Sequence, residues 1–319
     1  MSAPDLLSGR TLPAFLAQAS PRDREWRRLA LMVAFGPLAA IALSFAVILL
    51  LFAGGHALGI PLNVLGGELA GLPRLMRSGV YILEVGLGLA AAAGGLLLAG
   101  AMIFRRRLGS WVTAAERFRW SLLGWGLAAG GLALVGLSLA AQVFAEEGGV
   151  APIFDSAEPA SQRLVYALAS FSGFMIAAWA EEVVFRGYLL QQMSAFSRRL
   201  WLVLLVNGLV FALFHLEFDP GALAARTLLG MVLAWSALRL GGLEFGIGAH
   251  AAQNLGIALF GEVLLPDTPQ TVIDGGGLGM EVLLAVILIV CVEVLYRRRA
   301  GLQGDPISTA SDPRSAPAP

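Results

Sequence analysis

Lysine is missing from this 319-residue chain, whose 22 basic side chains are all arginines. Its absence excludes serine–lysine dyads and lysine Schiff bases from the possible chemistry. Cysteine is almost missing as well. Cys291 is the single one and lies inside an apolar run, which leaves no intramolecular disulfide and no thiolate metal cluster. The 22 basic and 22 acidic residues cancel, so the charge balance gives no reason to expect a nucleic-acid partner.

Charge of either sign is scarce. Only 14% of the residues are charged and 57% are hydrophobic, whereas a soluble domain is about half apolar and a quarter charged. The mean hydropathy is +0.76, and the apolar residues form runs close to the ~20 residues that cross a bilayer as a helix. The sequence therefore predicts an all-α, polytopic transmembrane helical bundle of about eight spans. The predicted spans are Leu29–Ala53, Gly79–Phe104, Trp120–Phe144, Arg163–Gln191, Leu200–His215, Leu223–Leu240, Phe245–Leu264 and Gly279–Tyr296.

Arginines distinguish the two ends of these spans. With eight spans, the arginine clusters fall on one side, and the positive-inside rule makes that side cytoplasmic. The loop around Glu146 and Asp155 on the other side is acidic, and only Arg74 and Arg77 dissent. We therefore predict an integral protein of a bacterial inner (cell) membrane, with both termini in the cytoplasm. The predicted cytoplasmic arginines are Arg22, Arg24, Arg27, Arg28, Arg105, Arg106, Arg107, Arg117, Arg119, Arg198, Arg199, Arg239, Arg297, Arg298 and Arg299.

Ionisable residues inside the spans are costly and each needs a reason. Most lie near a boundary, where Glu281 and Glu293, for example, can pair or reach water. The exception is a group in the middle of the fourth span. Glu182 and Arg186 are four residues apart on one helix face, in the order that favours an ion pair. Glu181 points about 100° away and has no partner in its own helix, which makes it the carboxylate available for chemistry.

Two histidines are the other titratable residues that we single out within the spans. His215 ends the fifth span, one turn after Phe211, which is placed to form an apolar wall. His250 and Asn254 are four residues apart in the seventh span and share a face. A lone histidine in a membrane helix more often bonds to a neighbouring helix than to a ligand. Two histidines together with Glu181, on three helices, indicate a shared site.

These residue types suit the activation of water. A carboxylate kept from solvent titrates closer to neutrality, where a general base works best. In one mechanism His215, His250 and tentatively Glu181 hold a divalent metal, with zinc the favoured ion, which polarises a carbonyl and its water. In the other, Glu181 takes the proton without a metal, while histidine and Asn254 stabilise the oxyanion. The residues alone leave both mechanisms open.

Three motifs follow one another along the chain: Glu181-Glu182-x-x-x-Arg186, Phe211-x-x-x-His215 and His250-x-x-x-Asn254. Their order resembles that of the CPBP family, over roughly residues 160–262. This family includes type II CAAX prenyl endopeptidases and bacterial relatives linked to bacteriocin immunity and abortive infection. The resemblance implies an eight-span fold with a site inside the membrane that opens toward the cytoplasm. It also implies a membrane-associated peptide or protein substrate, with a prenylated tail as the least transferable feature.

The resemblance also implies a role for each matched residue. Glu181 would be the general base that activates water. His215 and His250 would bind a metal or orient water, and Asn254 would assist with the oxyanion. The second acid and the arginine of the first motif would be mainly structural. The favoured function is thus an intramembrane endopeptidase of the metalloprotease kind, which hydrolyses a peptide bond in or near the lipid bilayer.

Two other functions stay open at this point. The same acids and histidines could form a proton or ion path in a transporter, or the chain could be a non-catalytic scaffold or immunity protein. No His-Glu-x-x-His motif occurs, which argues against the site-2 type of zinc protease. The predicted organisation is a cytoplasmic N-terminal segment (1–28), the first three spans with their loops (29–159), the CPBP-like catalytic core (160–264), an outer loop with the last span (265–299) and a disordered cytoplasmic tail (300–319).

Helical rise alone does not bring Glu181, His215 and His250 to the same depth in the membrane. At about 1.5 Å per residue, His215 lies about 24 Å along the fifth span from the loop near Arg199. His250, in contrast, begins much nearer the cytoplasmic end of its span, and Glu181 lies between the two. Convergence therefore requires tilted or broken helices, or a segment after Phe196 that re-enters the membrane.

Overall fold

The fold is a bundle of long helices. A computed structural model describes residues 12–57, 71–144, 150–261, 263–266, 268 and 272–302. Short 3₁₀ turns at Leu16–Gln18, Pro21–Arg24 and Leu108–Trp111 accompany the long helices. The long helices of the described residues are α1 (Trp26–Ala57), α2 (Arg74–Phe104), α3 (Trp120–Phe144), α4 (Ala160–Phe196), α5 (Leu200–Phe214), α6 (Pro220–Leu240), α7 (Glu244–Phe260) and α8 (Gly275–Leu302).

The predicted all-α class is confirmed, and eight helices follow the eight predicted spans. Six of the described helices are long and apolar enough to cross a membrane by themselves. The remaining two are shorter: α5 has 15 residues and α7 has 17. The seventh span was predicted too long, because α7 ends at Phe260 and the chain leaves the helix at Gly261 rather than at Leu264.

The structure describes part of both predicted terminal segments. In the N-terminal one, Phe15 and Leu16 are buried in the main hydrophobic cluster, which also contains Trp111. Asp23 accepts a 2.9 Å hydrogen bond from Arg106, which ties this segment to the connection after α2. At the other end α8 continues to Leu302, and the remainder of the predicted disordered tail lies outside the described residues.

Helix ends in the second half follow local chemistry. Pro220 occupies the first turn of α6, and the Asp219 side chain caps it by accepting from the Ala222 backbone N–H at 2.8 Å. Gly241 ends α6 in the left-handed region, with φ of 72°, a conformation that glycine adopts without steric cost. The chain can therefore reverse within three residues and begin α7.

The connection between α2 and α3, residues 105–119, folds inward against α4. A Cβ atom on Gly187 would lie 2.5 Å from the Trp111 carbonyl oxygen, so backbone and helix are in direct contact there. The same connection holds the turn between α6 and α7, because the Leu243 N–H donates to the Val112 carbonyl at 2.9 Å. The α6–α7 turn is thereby fixed at the level of Gly187, well inside the end of α4.

This inward connection explains how Glu181, His215 and His250 reach the same depth, which helical rise alone did not account for. Glu181 lies six residues before Gly187, and His250 lies seven residues after Leu243, so both are about 10 Å above the same level. His215 follows Leu200 by the same fifteen residues that separate Glu181 from Phe196. Of the alternatives for convergence, a re-entrant segment after Phe196 is not found, since α5 begins at Leu200. The segment that folds inward is 105–119.

Small residues bring α3 and α7 together. A Cβ on Gly126 would overlap the Phe245 carbonyl oxygen, and one on Gly130 would lie 2.9 Å from the Ala249 carbonyl oxygen. Gly131, on the same helix, has open space around its Cα. Close backbone approach is the usual way in which membrane helices associate.

Replacement of Gly126 by alanine is therefore expected to destabilise the bundle. The added methyl group forces α3 away from α7, at a cost of about 1–3 kcal/mol for overpacking. The measurement is equilibrium unfolding in mixed detergent micelles, with Gly131→Ala as the matched control. Equal stability of the two variants would contradict the packing assigned to Gly126.

Candidate active site

Helix α4 changes its geometry directly after the two acids. Glu181 and Glu182 end the regular α-helix, and Val183–Leu189 form a π-helical turn. The buried Asn207 side chain of α5 donates a 2.8 Å hydrogen bond to the Phe185 carbonyl within this turn. Such π turns are uncommon and occur frequently at functional sites. The turn therefore marks the segment between Glu182 and Gly187 as a candidate site.

Glu182 is the centre of the buried polar network. Its side chain and that of Arg186 are both 0% exposed. The Oε1 atom accepts from Arg186 Nη1 at 2.8 Å, which is the ion pair expected from their spacing, and it also lies 3.0 Å from His250 Nδ1. Because a buried charge is tolerated only when paired and hydrogen-bonded, these donors identify Glu182 as an ionised carboxylate.

This contact settles which nitrogen of His250 carries the proton. An ionised carboxylate is acceptor-only, so Nδ1 must be the protonated nitrogen that donates to Glu182. The other ring nitrogen, Nε2, then presents a lone pair in the neutral imidazole. It lies 3.9 Å from the Oε2 atom of Glu181. His250 thus lies between the two acids of α4, with one ring nitrogen facing each.

Glu181 has the different environment that its helical direction predicts. Its side chain is 12% exposed, and its Oε2 atom is buried with no hydrogen-bond partner among the described residues. A separation of 3.9 Å is too long for a direct hydrogen bond to His250. It is compatible with one water molecule that bonds to both groups. The Oε2 atom of Glu182 also lacks a described partner, but the unused acceptor of Glu181 is the one that faces His250 Nε2.

Phe211 joins the remaining members of the site. Its ring is buried, with centroids 4.8 Å from the His215 ring and 5.6 Å from the His250 ring. The Arg186 guanidinium lies 4.1 Å from the Phe211 centroid, a favourable cation–π distance. Phe211 thus forms the apolar wall expected from the sequence and separates the buried ion pair from His215.

His215 forms the end of α5. Its Nδ1 atom lies 2.9 Å from the Phe211 carbonyl oxygen. A carbonyl only accepts, so Nδ1 carries the proton and Nε2 is an acceptor in the neutral ring. This backbone bond fixes the orientation of the imidazole.

A cavity of about 590 Å³ brings three of the predicted residues to one space. His215, His250 and Asn254 line it, and so does Phe211. Glu181 is not among the lining residues and approaches His250 from the α4 side. The structure thus places the four residues of the second and third motifs around the cavity, with the acids of the first motif behind His250.

The cavity also contains polar residues that the sequence argument passed over. Gln253, between the two residues of the third motif, donates a 3.2 Å hydrogen bond to Glu281 of α8. Arg226 of α6 pairs with Glu217 at 2.7 Å. The sequence predicts only a boundary position for Glu281, where it can pair or reach water, and it points to no role for Arg226. Only the packing of α6 against α5, α7 and α8 brings them to the same cavity.

The predicted metal ligands are His215, His250 and, tentatively, Glu181, and the structure shows how their side chains are arranged. Among the residues that the structure describes, no group of three or more histidine, cysteine, aspartate or glutamate side chains is arranged to hold a metal ion. One nitrogen of each imidazole is already bonded, to Phe211 or to Glu182. The donors as placed do not form the three-ligand set of a catalytic zinc site. The zinc assignment stays a prediction, and we derive no chemical step through a metal.

The fold and the site together define an α-helical integral membrane protein with a glutamate–histidine centre buried between its helices. Residues 163–256, which contain all three motifs, match the family model described as Type II CAAX prenyl endopeptidase Rce1-like. This segment of the chain is therefore similar to the Rce1-like family, in agreement with the motif resemblance. The match supports a CAAX protease-type peptidase in general terms, without assigning a substrate or a metal.

A curated relative is the uncharacterized protein YyaK of Bacillus subtilis (strain 168). The two chains are 36% identical over 88 residues, which are 25% of this chain and 29% of the relative. The similarity thus spans less than a third of YyaK.

The buried pair provides a direct test of the network. Replacing Arg186 by methionine leaves the Glu182 charge without its main counter-ion, and loss of one partner of a buried pair costs about 3–5 kcal/mol. We expect a loss of that size in unfolding free energy. The double variant Glu182→Gln/Arg186→Met should recover part of it, because no unpaired charge then remains.

The matched control is Glu25→Gln, which removes a pair with Arg28 whose glutamate side chain is half exposed. Exposed pairs contribute about 0–1 kcal/mol. If Arg186→Met lost no more stability than Glu25→Gln, the central role of the buried pair would be refuted.

Proposed function

We propose that this protein is an intramembrane peptidase that hydrolyses a peptide bond with water activated between Glu181 and His250. The observation that carries the proposal is the pair of contacts made by His250. Nδ1 is bonded to the buried Glu182, and Nε2 lies 3.9 Å from Glu181 Oε2. A carboxylate with a free acceptor beside an oriented imidazole is suited to hold and deprotonate a water molecule.

The proposed reaction balances with these groups. The water oxygen adds to the scissile carbonyl carbon while its proton passes to Glu181. The tetrahedral intermediate then collapses, the C–N bond breaks, and Glu181 returns the proton to the leaving nitrogen. The products are a carboxylic acid and an amine. His250 holds the attacking water through the Nε2 lone pair, and Glu182 acts as a positioning residue by keeping the opposite nitrogen protonated.

Asn254 and His215 are the other two polar motif residues that line the cavity. Their hydrogen-bonding capacities differ, so we assign them different roles. Asn254 has amide N–H donors, which suit the developing oxyanion. His215 in its neutral form has its only N–H bonded to Phe211, so its free nitrogen is an acceptor. We assign it to orienting water or the leaving N–H rather than to oxyanion stabilisation.

The proposal includes the orientation of the chain in the membrane and its cellular location. Arg199 precedes α5, Arg239 lies in the last turn of α6, and Arg298 lies near the end of α8. The positive-inside rule makes these ends of the helices cytoplasmic. We propose a bacterial cell membrane as the location, with both termini inside. The proposed partners are the bilayer itself and a membrane-associated peptide or protein substrate.

The proposal predicts the effect of a single isosteric change. Glu181→Gln keeps the size of the side chain but removes the base, so hydrolysis should fall by about 10²–10⁴-fold. The measurement is the appearance of new peptide termini, by mass spectrometry, when purified protein in micelles is incubated with a peptide library. Glu84→Gln is the control, because Glu84 is an exposed glutamate of α2 outside the cavity.

The same pair of variants separates the competing functions. A scaffold or immunity protein should keep its cellular phenotype in Glu181→Gln, and a transporter should show flux without hydrolysis. If Glu181→Gln cleaved the library as fast as Glu84→Gln, the assignment of Glu181 as the base would be wrong.

Metal content tests the zinc prediction separately. Because three donors are not gathered in the described site, the metal-free mechanism predicts much less than one zinc per chain in purified protein, whereas the zinc prediction requires about one. The measurement is elemental analysis of the protein beside the His215→Ala/His250→Ala variant, with folding of both checked by thermal melting. One zinc per chain that disappears in the double variant would establish a metal site and overturn the metal-free mechanism.

A further inference from the structure

Five acids lie within the helices α4 to α8, and three of them are paired with arginines. The pairs are Glu182 with Arg186 at 2.8 Å, Glu244 with Arg119 at 2.6 Å and Glu293 with Arg239 at 2.5 Å. The other two acids are Glu181, which is the proposed base, and Glu281 of α8. An acid inside a membrane helix is costly and is normally paired or functional. Glu281 therefore needs a reason that the catalytic steps do not supply.

Glu281 faces the cavity of the candidate site. Its Oε2 atom accepts the 3.2 Å hydrogen bond from Gln253 Nε2, and no ion pair joins it to another of the described residues. Among the described residues that line the cavity, Arg226 is the one arginine, and it is paired with Glu217 at 2.7 Å. The carboxylate of Glu281 thus has a neutral amide as its bonded neighbour and no counter-ion of its own.

Gln253 supplies a second acceptor at the same place. Its side chain is 6% exposed, and its Oε1 atom is buried without a hydrogen-bond partner in the part of the chain that the structure describes. The Nε2 atom of the same amide group donates to Glu281, so the free carbonyl oxygen lies beside the carboxylate. A buried acceptor without a donor is unfavourable. The two side chains together therefore lack both donors and positive charge.

The charge balance of the whole cavity has the same sign. The described lining contains three acids, Glu217, Asp274 and Glu281, against the single arginine. The two histidines are neutral in the proposed mechanism and do not offset this excess. A cleft lined by negative charge raises the local concentration of cations. The cavity is thus suited to a ligand that carries positive charge.

We propose that Glu281 and Gln253 form a subsite for a positively charged side chain of the substrate, a lysine or an arginine. This proposal rests on the proposed peptidase function and deepens it by naming a substrate class. A lysine ammonium and an arginine guanidinium each have several N–H donors, so either group can bond to the carboxylate and to the free amide oxygen together. A neutral side chain in the same place leaves the Glu281 charge uncompensated.

Helix α7 sets the distance between this subsite and the reacting bond. Gln253 follows His250 by three residues, so the two lie on one face and about 4.5 Å apart along the helix axis. An extended peptide covers about 3.3–3.6 Å per residue. The basic residue of the substrate is therefore expected within about three residues of the scissile bond.

Cleavage specificity is the first test, with the purified full chain in micelles. Two synthetic peptides are compared that differ only in lysine or glutamine at the expected place. We expect kcat/KM to be about 10–100-fold higher for the lysine peptide, which is the effect of one charge-assisted hydrogen bond. Glu281→Gln keeps the size of the side chain and should abolish this difference by slowing the lysine peptide alone.

The control is again Glu84→Gln, which removes an exposed acid outside the cavity and should keep the preference for lysine. Equal cleavage of the two peptides by the unaltered chain would overturn the proposal, and so would a preference that persists in Glu281→Gln.

Charge reversal is the second test. Glu281→Lys places a positive charge in the subsite, so a peptide with glutamate at the expected place should then be cleaved faster than the lysine peptide. Thermal melting checks that the variant is folded. A folded Glu281→Lys chain that still preferred lysine would contradict the proposed subsite.

Binding separates the subsite from hydrolysis. Fluorescence polarisation of the two labelled peptides with the Glu181→Gln chain measures affinity without turnover. Tighter binding of the lysine peptide, lost in Glu181→Gln/Glu281→Gln, supports the subsite, and it does so even if the unaltered chain hydrolyses nothing and the proposed function is refuted. Hydrolysis by the unaltered chain together with equal affinity for the two peptides would overturn the subsite and keep the proposed function.

Discussion

The candidate site depends on one buried carboxylate. Glu182 holds Arg186 of its own helix and His250 of α7 on the same oxygen atom. The pair with Arg186 neutralises a charge that could not otherwise remain inside the bundle. The bond to His250 fixes the tautomer of the imidazole and directs its second nitrogen toward Glu181. Charge compensation of Arg186 and the orientation of the His250 ring are thus two consequences of a single carboxylate.

The surrounding structure serves to bring three helices to one depth. The π turn of α4 carries Arg186 directly after the acids, and Asn207 of α5 bonds within that turn. Residues 105–119 fold inward and hold the α6–α7 turn beside Gly187. Without this support, His250 would start nearer the membrane surface than Glu181. The first three spans, which contain none of the motifs, therefore contribute to the site through packing.

The cavity combines a membrane-embedded centre with an aqueous mouth. Its inner wall is formed by Phe211 and the two histidines, and its outer wall carries Arg226, Glu217 and other polar groups. Unpaired backbone groups are not tolerated in lipid, so these polar residues form the part of the cavity that suits water.

Sequence by itself determined the all-α class, the eight long helices of the described residues and the Glu182–Arg186 ion pair, and it singled out Glu181, His215, His250 and Asn254 as candidate site residues. These follow from apolar run length, from a four-residue spacing and from the cost of charge in lipid, which are local properties. Tertiary structure alone decided that His250 faces both acids, that residues 105–119 set the depth, and that Arg226 and Glu281 share the cavity. Each of these depends on contacts between residues tens of positions apart, and the period of a helix carries no information about its height relative to its neighbours.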